Sequence, residues 1–196
     1  MSKVFFTSDL HFGHKNVIRF DNRPFASVDE MDKELVRRWN RKVAKDDVVY
    51  VLGDVSWYNL ERTKAIVKSL NGRKFLVRGN HDRITADNPC GFEGVTSYKE
   101  LHLPGNVHVV LSHYPMPIFN RHHYGSYMLY GHVHNSHEWN MVESWKADMQ
   151  RLDIPCNMYN VGTMIWGYEP VTINEILSDT RFTPVHAEMD GESDEL

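Results

Sequence analysis

The sequence predicts an α/β fold, because strand-like and helix-like patterns alternate over roughly its first 80 residues. Three short runs rich in β-forming residues are separated by two stretches with helical periodicity, which gives the order β-α-β-α-β. The middle run, residues 47–52, is almost continuously apolar, as expected of a parallel strand covered on both faces. Such alternation is typical of doubly wound sheets. The 196 residues suffice for one core, so we expect a single domain over residues 1–185, followed by an acidic, frayed tail over 186–196.

The first half of the chain contains three predicted strands and two predicted helices. Residues 3–9 are expected to form a buried first strand. Ser27 and Glu30 form a capping-box pattern, and apolar side chains at every fourth position then predict a helix from Val28 to Val43. A second helix is expected to close at Asn71-Gly72, and residues 73–78 form the third strand.

The second half has a different pattern. Residues 98–103 and 107–112 predict two strands joined as a hairpin by residues 104–106, and residues 127–130 predict another strand. Residues 135–155 are compatible with a helix or a long loop. Late strands are expected at 157–161 and 162–166, and a capping box at Thr172 opens a last short helix.

Composition limits the classes of partner. The net charge of −4 argues against a broad basic face for duplex nucleic acid, whereas a short or single-stranded nucleic acid remains compatible. No apolar run approaches the roughly 20 residues that span a bilayer, so no membrane association is expected. The N-terminus lacks a secretion-signal pattern, and the two cysteines lie far apart, which together predict a cytoplasmic protein with reduced thiols. No sequence feature defines an oligomeric state.

Polar side chains follow five of the predicted strands at the points where the strands end, where open α/β sheets bind ligands. They are Asp9 and His11, Asp54, Asn80 and His81, His113, and His132 and His134. Mixed oxygen and nitrogen donors suit Mn, Fe, Zn or Ni better than Ca or Mg. In extended backbone, residues i and i+2 share a face, so Asp9/His11 and His132/His134 are each expected to point to one side. Without His81, these side chains suffice for two ions if one carboxylate bridges.

The order of these motifs, from Asp9 to His134, resembles that of the calcineurin-like metallophosphoesterase family. The motifs are Asp9-Leu10-His11, Gly53-Asp54, Gly79-Asn80-His81-Asp82, His113 and Gly131-His132-Val133-His134. The resemblance implies a four-layer α/β/β/α sandwich of two mixed β-sheets flanked by helices. It also implies a two-metal centre in which Asp54 bridges the ions. One ion would be held by Asp9, His11 and His134, and the other by Asn80, His113 and His132.

The resemblance implies a dinuclear-metal-dependent phosphoesterase with two divalent transition-metal ions, of which manganese is favoured. Two ions about 3.5–4 Å apart lower the pKa of a shared water, so that a metal-bridging hydroxide attacks phosphorus. By family analogy, His81 protonates or stabilises the leaving oxygen from its place beside Asn80. Asp82 is expected to orient His81.

One departure from the family pattern limits the class of phosphoester that the protein is expected to hydrolyse. The phosphoprotein phosphatase branch carries Gly-Asp-x-x-Asp-Arg-Gly, whereas Gly53-Asp54 is followed here by Val55-Ser56-Trp57-Tyr58. The chain is more similar to the small bacterial and phage-type branch, and we favour phosphodiesters, carried by a small molecule or a nucleotide. The alternatives are a phosphomonoesterase or nucleotidase, a non-catalytic binding module on the same fold, and a metal-dependent hydrolase that acts on something other than phosphate.

Three residues outside the proposed ligand set are candidates for substrate binding. His14 and Arg23 lie just beyond the first motif, and Trp57 follows Asp54 closely enough to line the cleft. The alternative for His14 and Arg23 is that they are surface residues of the first helix and loop. Simpler structural roles also exist for the ligand candidates: Asp54 as a helix cap, Asn80 as a turn residue, and the histidines as exposed residues at strand ends.

Overall fold

A computed structural model describes residues 2–181, so the predicted tail and residues 182–185 of the predicted domain lie outside the described part. The strands in the described part are β1 Val4–Thr7, β2 Val48–Val51, β3 Arg73–Val77, β4 Gly94–Thr96, β5 Lys99–Leu103, β6 Val107–Leu111, β7 Tyr127–Tyr130, β8 Asn157–Asn160 and β9 Val171–Thr172. The helices are α1 Lys15–Phe20, α2 Val28–Lys42, α3 Leu60–Ser69, α4 His137–Arg151 and α5 Ile173–Ser178. Between residues 2 and 181, no helix is both long and apolar enough to cross a membrane.

The strands form two mixed sheets. The first sheet has the order β4-β3-β2-β1-β9, in which β1 to β4 are parallel and β9 is antiparallel to β1. The second has the order β5-β6-β7-β8, in which β6, β7 and β8 are parallel and β5 is antiparallel to β6. Parallel neighbours end on the same side of their sheet, so the polar loops that follow β1, β2 and β3 emerge together.

Three apolar clusters hold the layers together. Phe6 of β1 and Leu52, which follows β2, pack with Leu111 and Leu129 of the second sheet and form the core between the sheets. The apolar face of α2 covers the other side of the first sheet, with Trp39 as its largest buried side chain. Helix α4 covers the second sheet in the same way. The layers are therefore α/β/β/α, as the resemblance implies.

Most predicted elements are present, with one error. Helix α2 begins as expected, because Ser27 Oγ accepts a hydrogen bond from the Glu30 N–H at 3.2 Å. Residues 135–155 contain helix α4 rather than a long loop. The predicted strand at 162–166 is wrong: the Ile165 N–H donates to Gly162 O at 2.9 Å and the Trp166 N–H to Thr163 O at 3.2 Å, so this segment forms turns.

Candidate metal centre

The loops at the ends of β1, β2, β6 and β7 are tied together by hydrogen bonds that main-chain N–H groups donate. In the first sheet, the Asp9 N–H donates to Gly53 O at 3.1 Å and the His11 N–H to Asp54 O at 3.0 Å. In the second sheet, the Gly131 N–H donates to the carbonyl of His113 at 3.0 Å. The His132 N–H then crosses between the sheets to the carboxylate of Asp9, at 3.1 and 3.2 Å from its two oxygens. The site is therefore assembled from both sheets.

Six of the seven predicted ligands fall into two groups. The first donor set is Asp9, His11 and His134, in which His134 Nε2 lies 3.1 Å from His11 Nε2 and 3.5 Å from Asp9 Oδ1. The second donor set is Asn80, His113 and His132. There, Asn80 Oδ1 lies 3.0 Å from His113 Nε2 and 3.1 Å from His132 Nδ1. Each set gathers oxygen and nitrogen atoms around one point.

Asp54 lies between the two donor sets. Its Oδ2 is 3.6 Å from His11 Nε2 in the first set, and its Oδ1 is 3.6 Å from His113 Nε2 in the second. The side chain is almost fully buried. One carboxylate thus presents a different oxygen to each set, which is the arrangement that a bridging ligand requires.

The buried carboxylates and neutral imidazoles of the site favour the binding of cations. Burial raises the pKa of Asp54, and it lowers the pKa of His11 well below its ordinary value. Burial also lowers the pKa of His132. Buried charges need partners, and a divalent ion among these donors would offset the cost of burying the carboxylates while accepting the lone pairs of neutral imidazoles. The donor chemistry therefore suits two transition-metal ions.

The backbone at these ligands differs from the sequence-based expectation. Asp9 and His11 have φ values of 55° and 53°, and His132 and His134 have 70° and 49°. Asp54 has a φ of 55°. These are left-handed conformations, which cost non-glycine residues free energy, so the expected extended geometry with a shared face is wrong. Side chains converge here because the backbone turns sharply after each strand, and such strain is typical of functional sites.

Asp21 is a residue of the site that the sequence analysis missed. Its Oδ1 lies 2.7 Å from His134 Nδ1, while the opposite ring nitrogen faces the first donor set. Burial disfavours the charged ring of His134, but the hydrogen bond and the charges of Asp21 and Asp9 outweigh it and raise the pKa. A carboxylate behind a histidine ligand commonly fixes its tautomer and orientation. Neither periodicity nor a motif in the sequence marks Asp21 for this position.

Arg23 supports Asp21, and the expectation that it binds substrate is wrong. Its side chain is fully buried, with Nη2 at 2.8 Å from the Asp21 carboxylate. The same guanidinium donates to Leu10 O at 3.0 Å and to Asp9 O at 2.9 Å. Because its N–H groups donate to the protein itself, Arg23 stabilises the first donor set and does not reach a substrate.

Asp82 also has a different contact from the one expected. Its carboxylate accepts hydrogen bonds from the N–H groups of Asp54 at 3.0 Å, Val55 at 2.9 Å and Gly79 at 2.8 Å. It therefore clamps the loops after β2 and β3 together instead of orienting the ring of His81. Gly79 is required by close approach and not by a positive φ, because a Cβ there would collide with Asp54 Oδ1 and lie 2.7 Å from Asp54 N.

The comparisons with known proteins agree with this geometry. The family model for calcineurin-like phosphoesterases matches residues 2–145, which include all the predicted ligands. The chain belongs to the calcineurin-like phosphoesterase family. The family normally uses a dinuclear site for divalent metals, and together with the Asp and His clusters it supports a metal-dependent phosphoesterase.

Relatives of this phosphoesterase occur in an archaeon and in phages. The uncharacterized protein MJ1445 of Methanocaldococcus jannaschii is 29% identical, and the match covers 90% of each chain. The Gene 66 proteins of Mycobacterium phages L5 and D29 are 34% and 36% identical over 59% of this chain, which corresponds to 64% and 65% of theirs. They fit the small phage-type branch. A solved structure, the protein of unknown function AQ665 from Aquifex aeolicus, matches with a TM-score of 0.70 and 25% identity over 90% of this chain and 98% of its own.

The remaining predicted site residues of this phosphoesterase lie at the rim of the metal centre. The exposed ring of His81 is centred 6.2 Å from that of His11 and 4.4 Å from that of Trp57. His14 stacks on Trp57 at 4.0 Å with an interplanar angle of 6°. His14 and Trp57 thus lie together with His81 beside the first donor set.

Proposed function

We propose that this phosphoesterase hydrolyses phosphodiesters with the help of two divalent transition-metal ions, of which manganese is favoured. The observation that carries the proposal is the position of Asp54, whose two carboxylate oxygens face two separate donor sets. When bound, such a pair of ions supplies Lewis acidity and a water of lowered pKa close to phosphorus. The first donor set and the second donor set would each hold one ion.

The chain's own residues supply the rest of the chemistry. Water adds to phosphorus, the bond from phosphorus to the leaving oxygen breaks, and this oxygen must gain a proton. The backbone N–H of His81 donates to Asp54 Oδ1 at 3.1 Å, which fixes the start of this side chain beside the metal centre. Its exposed imidazole is free to donate the proton to the leaving oxygen, the role of a general acid.

The preference for diesters rests on charge. A monoester carries a second negative charge, which the phosphatase branch meets with an arginine in its second motif. Tyr58 stands at that position here, and its hydroxyl donates to Asp32 Oδ2 at 2.9 Å. Trp57 stands where that branch has an aspartate, so an indole contacts the ring of His81 instead of a carboxylate. The guanidinium of Arg23 is buried and paired with Asp21, so it does not meet a second negative charge. The charges of the site therefore favour a singly charged phosphodiester.

The substrate class is tested by comparing two chromogenic esters in the presence of Mn²⁺. We expect hydrolysis of bis-p-nitrophenyl phosphate to exceed that of p-nitrophenyl phosphate in kcat/KM, and both to stop when a chelator is added. A preference for the monoester would make the protein a phosphomonoesterase. Metal binding without turnover of either ester would favour the binding-module alternative.

The role of His81 is tested by His81→Ala. We expect kcat for a dialkyl phosphodiester, whose alkoxide leaving group needs a proton, to fall about 10²- to 10⁴-fold, the usual contribution of a general acid. Hydrolysis of bis-p-nitrophenyl phosphate, whose leaving group departs unprotonated, should fall much less, and two metal ions per chain should be retained in elemental analysis. The exposed His102 serves as the matched control, and His102→Ala should leave kcat unchanged. If the metal content falls in proportion to activity, His81 is a ligand and not the acid.

A further inference from the structure

A cleft of about 280 Å³ opens beside the metal centre. It is lined by Ser56, Trp57 and Tyr58 from the loop after β2 and by residues 80–83 from the loop after β3. Asn80 belongs to the second donor set and His81 is the proposed acid, so the cleft lies on the side from which the leaving group departs. Groups that line it farther from the metals are therefore placed to contact the leaving alcohol.

Trp57 forms one wall of this cleft and is 45% exposed. Its ring neighbours are imidazoles: His14 stacks on it at 4.0 Å, and the rings of His81 and His11 are centred 4.4 and 5.6 Å away. The stack with His14 covers one face of the indole and holds it in place, while the side chain as a whole stays 45% exposed. A fixed, half-exposed indole beside a catalytic group is a surface on which a planar ring can stack.

Arg83 adds a positive charge to the same cleft. It is exposed, and within residues 2–181 its guanidinium makes no ion pair or hydrogen bond. The adjacent carboxylate of Asp82 is occupied by three main-chain N–H groups. The guanidinium is thus free to pair with an anion, and its planar fork matches a phosphate.

We infer that the leaving alcohol is a nucleoside that carries a further phosphate, with its base stacked on Trp57 and that phosphate paired with Arg83. The substrate class is then a short oligonucleotide or dinucleotide phosphodiester, an inference that rests on the proposed function and specifies its substrate. Water cleaves the phosphorus–oxygen bond, the released nucleoside hydroxyl takes its proton from His81, and the other product is a phosphomonoester. The net charge of −4 is consistent with short substrates, because binding a long duplex needs a broad basic face.

Three inhibitors of bis-p-nitrophenyl phosphate hydrolysis by the Mn-loaded protein test the two contacts separately. Ribose 5-phosphate offers a phosphate alone, adenosine 5′-monophosphate adds the base, and adenosine 3′,5′-bisphosphate adds the second phosphate. We expect adenosine 5′-monophosphate to inhibit about 5- to 150-fold more tightly than ribose 5-phosphate, the range for one stacked base. The bisphosphate should gain about a further 5-fold from Arg83.

The variants assign each gain to one residue. Trp57→Ala should remove the gain from the base and leave that from the second phosphate, and Arg83→Gln should do the reverse. Tyr124→Ala, which removes an exposed aromatic ring outside the residues lining the cleft, should change neither ratio. Because each measurement is a ratio within one variant, general damage to the metal centre cancels.

Two results would overturn the inference: equal inhibition by ribose 5-phosphate and adenosine 5′-monophosphate in the wild type, or a gain from the base that survives Trp57→Ala. If the wild type does not turn over the diester at all, the proposed function fails separately. The same three ligands are then titrated into the Mn-loaded protein by calorimetry, where loss of the affinity ratios contradicts the cleft assignment and their presence supports it.

Discussion

The two donor sets are held in place by different means. In the first set, His134 is backed by the carboxylate of Asp21 at 2.7 Å, and Arg23 in turn holds Asp21 and the main chain of Asp9. In the second set, the support is main chain: His113 Nδ1 lies 2.7 Å from Leu52 O, which turns Nε2 towards the site. A carbonyl neighbour is fixed by the fold itself, whereas a side-chain support depends on a buried ion pair. The two metal sites should therefore respond differently to single substitutions.

Asp54→Asn should have the largest effect, because it acts on both sets at once. The amide keeps the shape of the side chain but removes the charge shared between His11 and His113. We expect both ions to bind at least about 100-fold more weakly, since even changes behind a ligand cost 10- to 100-fold. Isothermal titration with Mn²⁺ measures both steps.

The exposed Asp87 provides the control, and Asp87→Asn should bind both ions as the wild type does. If Asp54→Asn weakened only one of the two binding steps, Asp54 would be a ligand of one ion and not a bridge.

The structure brings the candidate ligands together where the sequence places them, whereas the residues that support them were not predicted. Each ligand follows a recognisable strand, so its place near the end of a sheet was accessible from hydrophobic pattern and motif order alone. The left-handed backbone at Asp9 and His132 was not, because nothing but tertiary contact holds a non-glycine residue in that conformation. Asp21 was also beyond reach as a support, since its partner His134 lies 113 residues later in the chain. The role of Arg23 follows from that of Asp21, with which it pairs.

Among the helices and strands, too, only those determined by local sequence were predictable. Helix α2 and the hairpin of β5 and β6 were predictable because capping, periodicity and turn residues act locally. The short strands β4 and β9 carry no such signal, and they exist because they pair with β3 and β1 at the edges of the first sheet. The strand prediction over residues 162–166 is wrong because the apolar residues of these turns resemble those of a strand.

Asp82→Ala should have the next largest effect. It tests whether a side chain that holds the main chain of two loops supports both donor sets at once. The substitution leaves three buried N–H groups, those of Asp54, Val55 and Gly79, without their acceptor. We expect the metal-free protein to lose about 3 kcal/mol of unfolding free energy in urea, since each unsatisfied buried donor costs about 1–3 kcal/mol and water can reach some of them. Asp87→Ala should change it by less than about 0.5 kcal/mol.

The metal-loaded form of Asp82→Ala gives the second measurement. Because the clamp positions Asp54, which faces both sets, both ions should bind more weakly. Loss of metal affinity without loss of stability would mean that Asp82 acts on the ligands directly, and unchanged stability would contradict the clamp.

Asp21→Asn should have the smallest effect and the most selective one. The amide oxygen still accepts a hydrogen bond from His134 Nδ1, so the ring keeps its direction, but the charge that raises the pKa of His134 and pairs with Arg23 is gone. We expect the ion of the first donor set to bind about 10-fold more weakly, at the lower end for a residue behind a ligand. The ion of the second set should bind as before, because the support that His113 receives from Leu52 O is untouched. Titration with Mn²⁺ should therefore show one weakened step of two.

Electron paramagnetic resonance with added Mn²⁺ shows whether one or both sites are filled, since a protein with one filled site lacks the spin coupling of a pair. The exposed Asp46 supplies the matched control, Asp46→Asn, and circular dichroism of both variants tests the fold independently of metal. Equal weakening of both steps with the fold intact would show that the two donor sets are not separately supported. Two steps unchanged by Asp21→Asn would show that hydrogen-bond geometry alone, and not charge behind His134, sets the affinity of the first donor set.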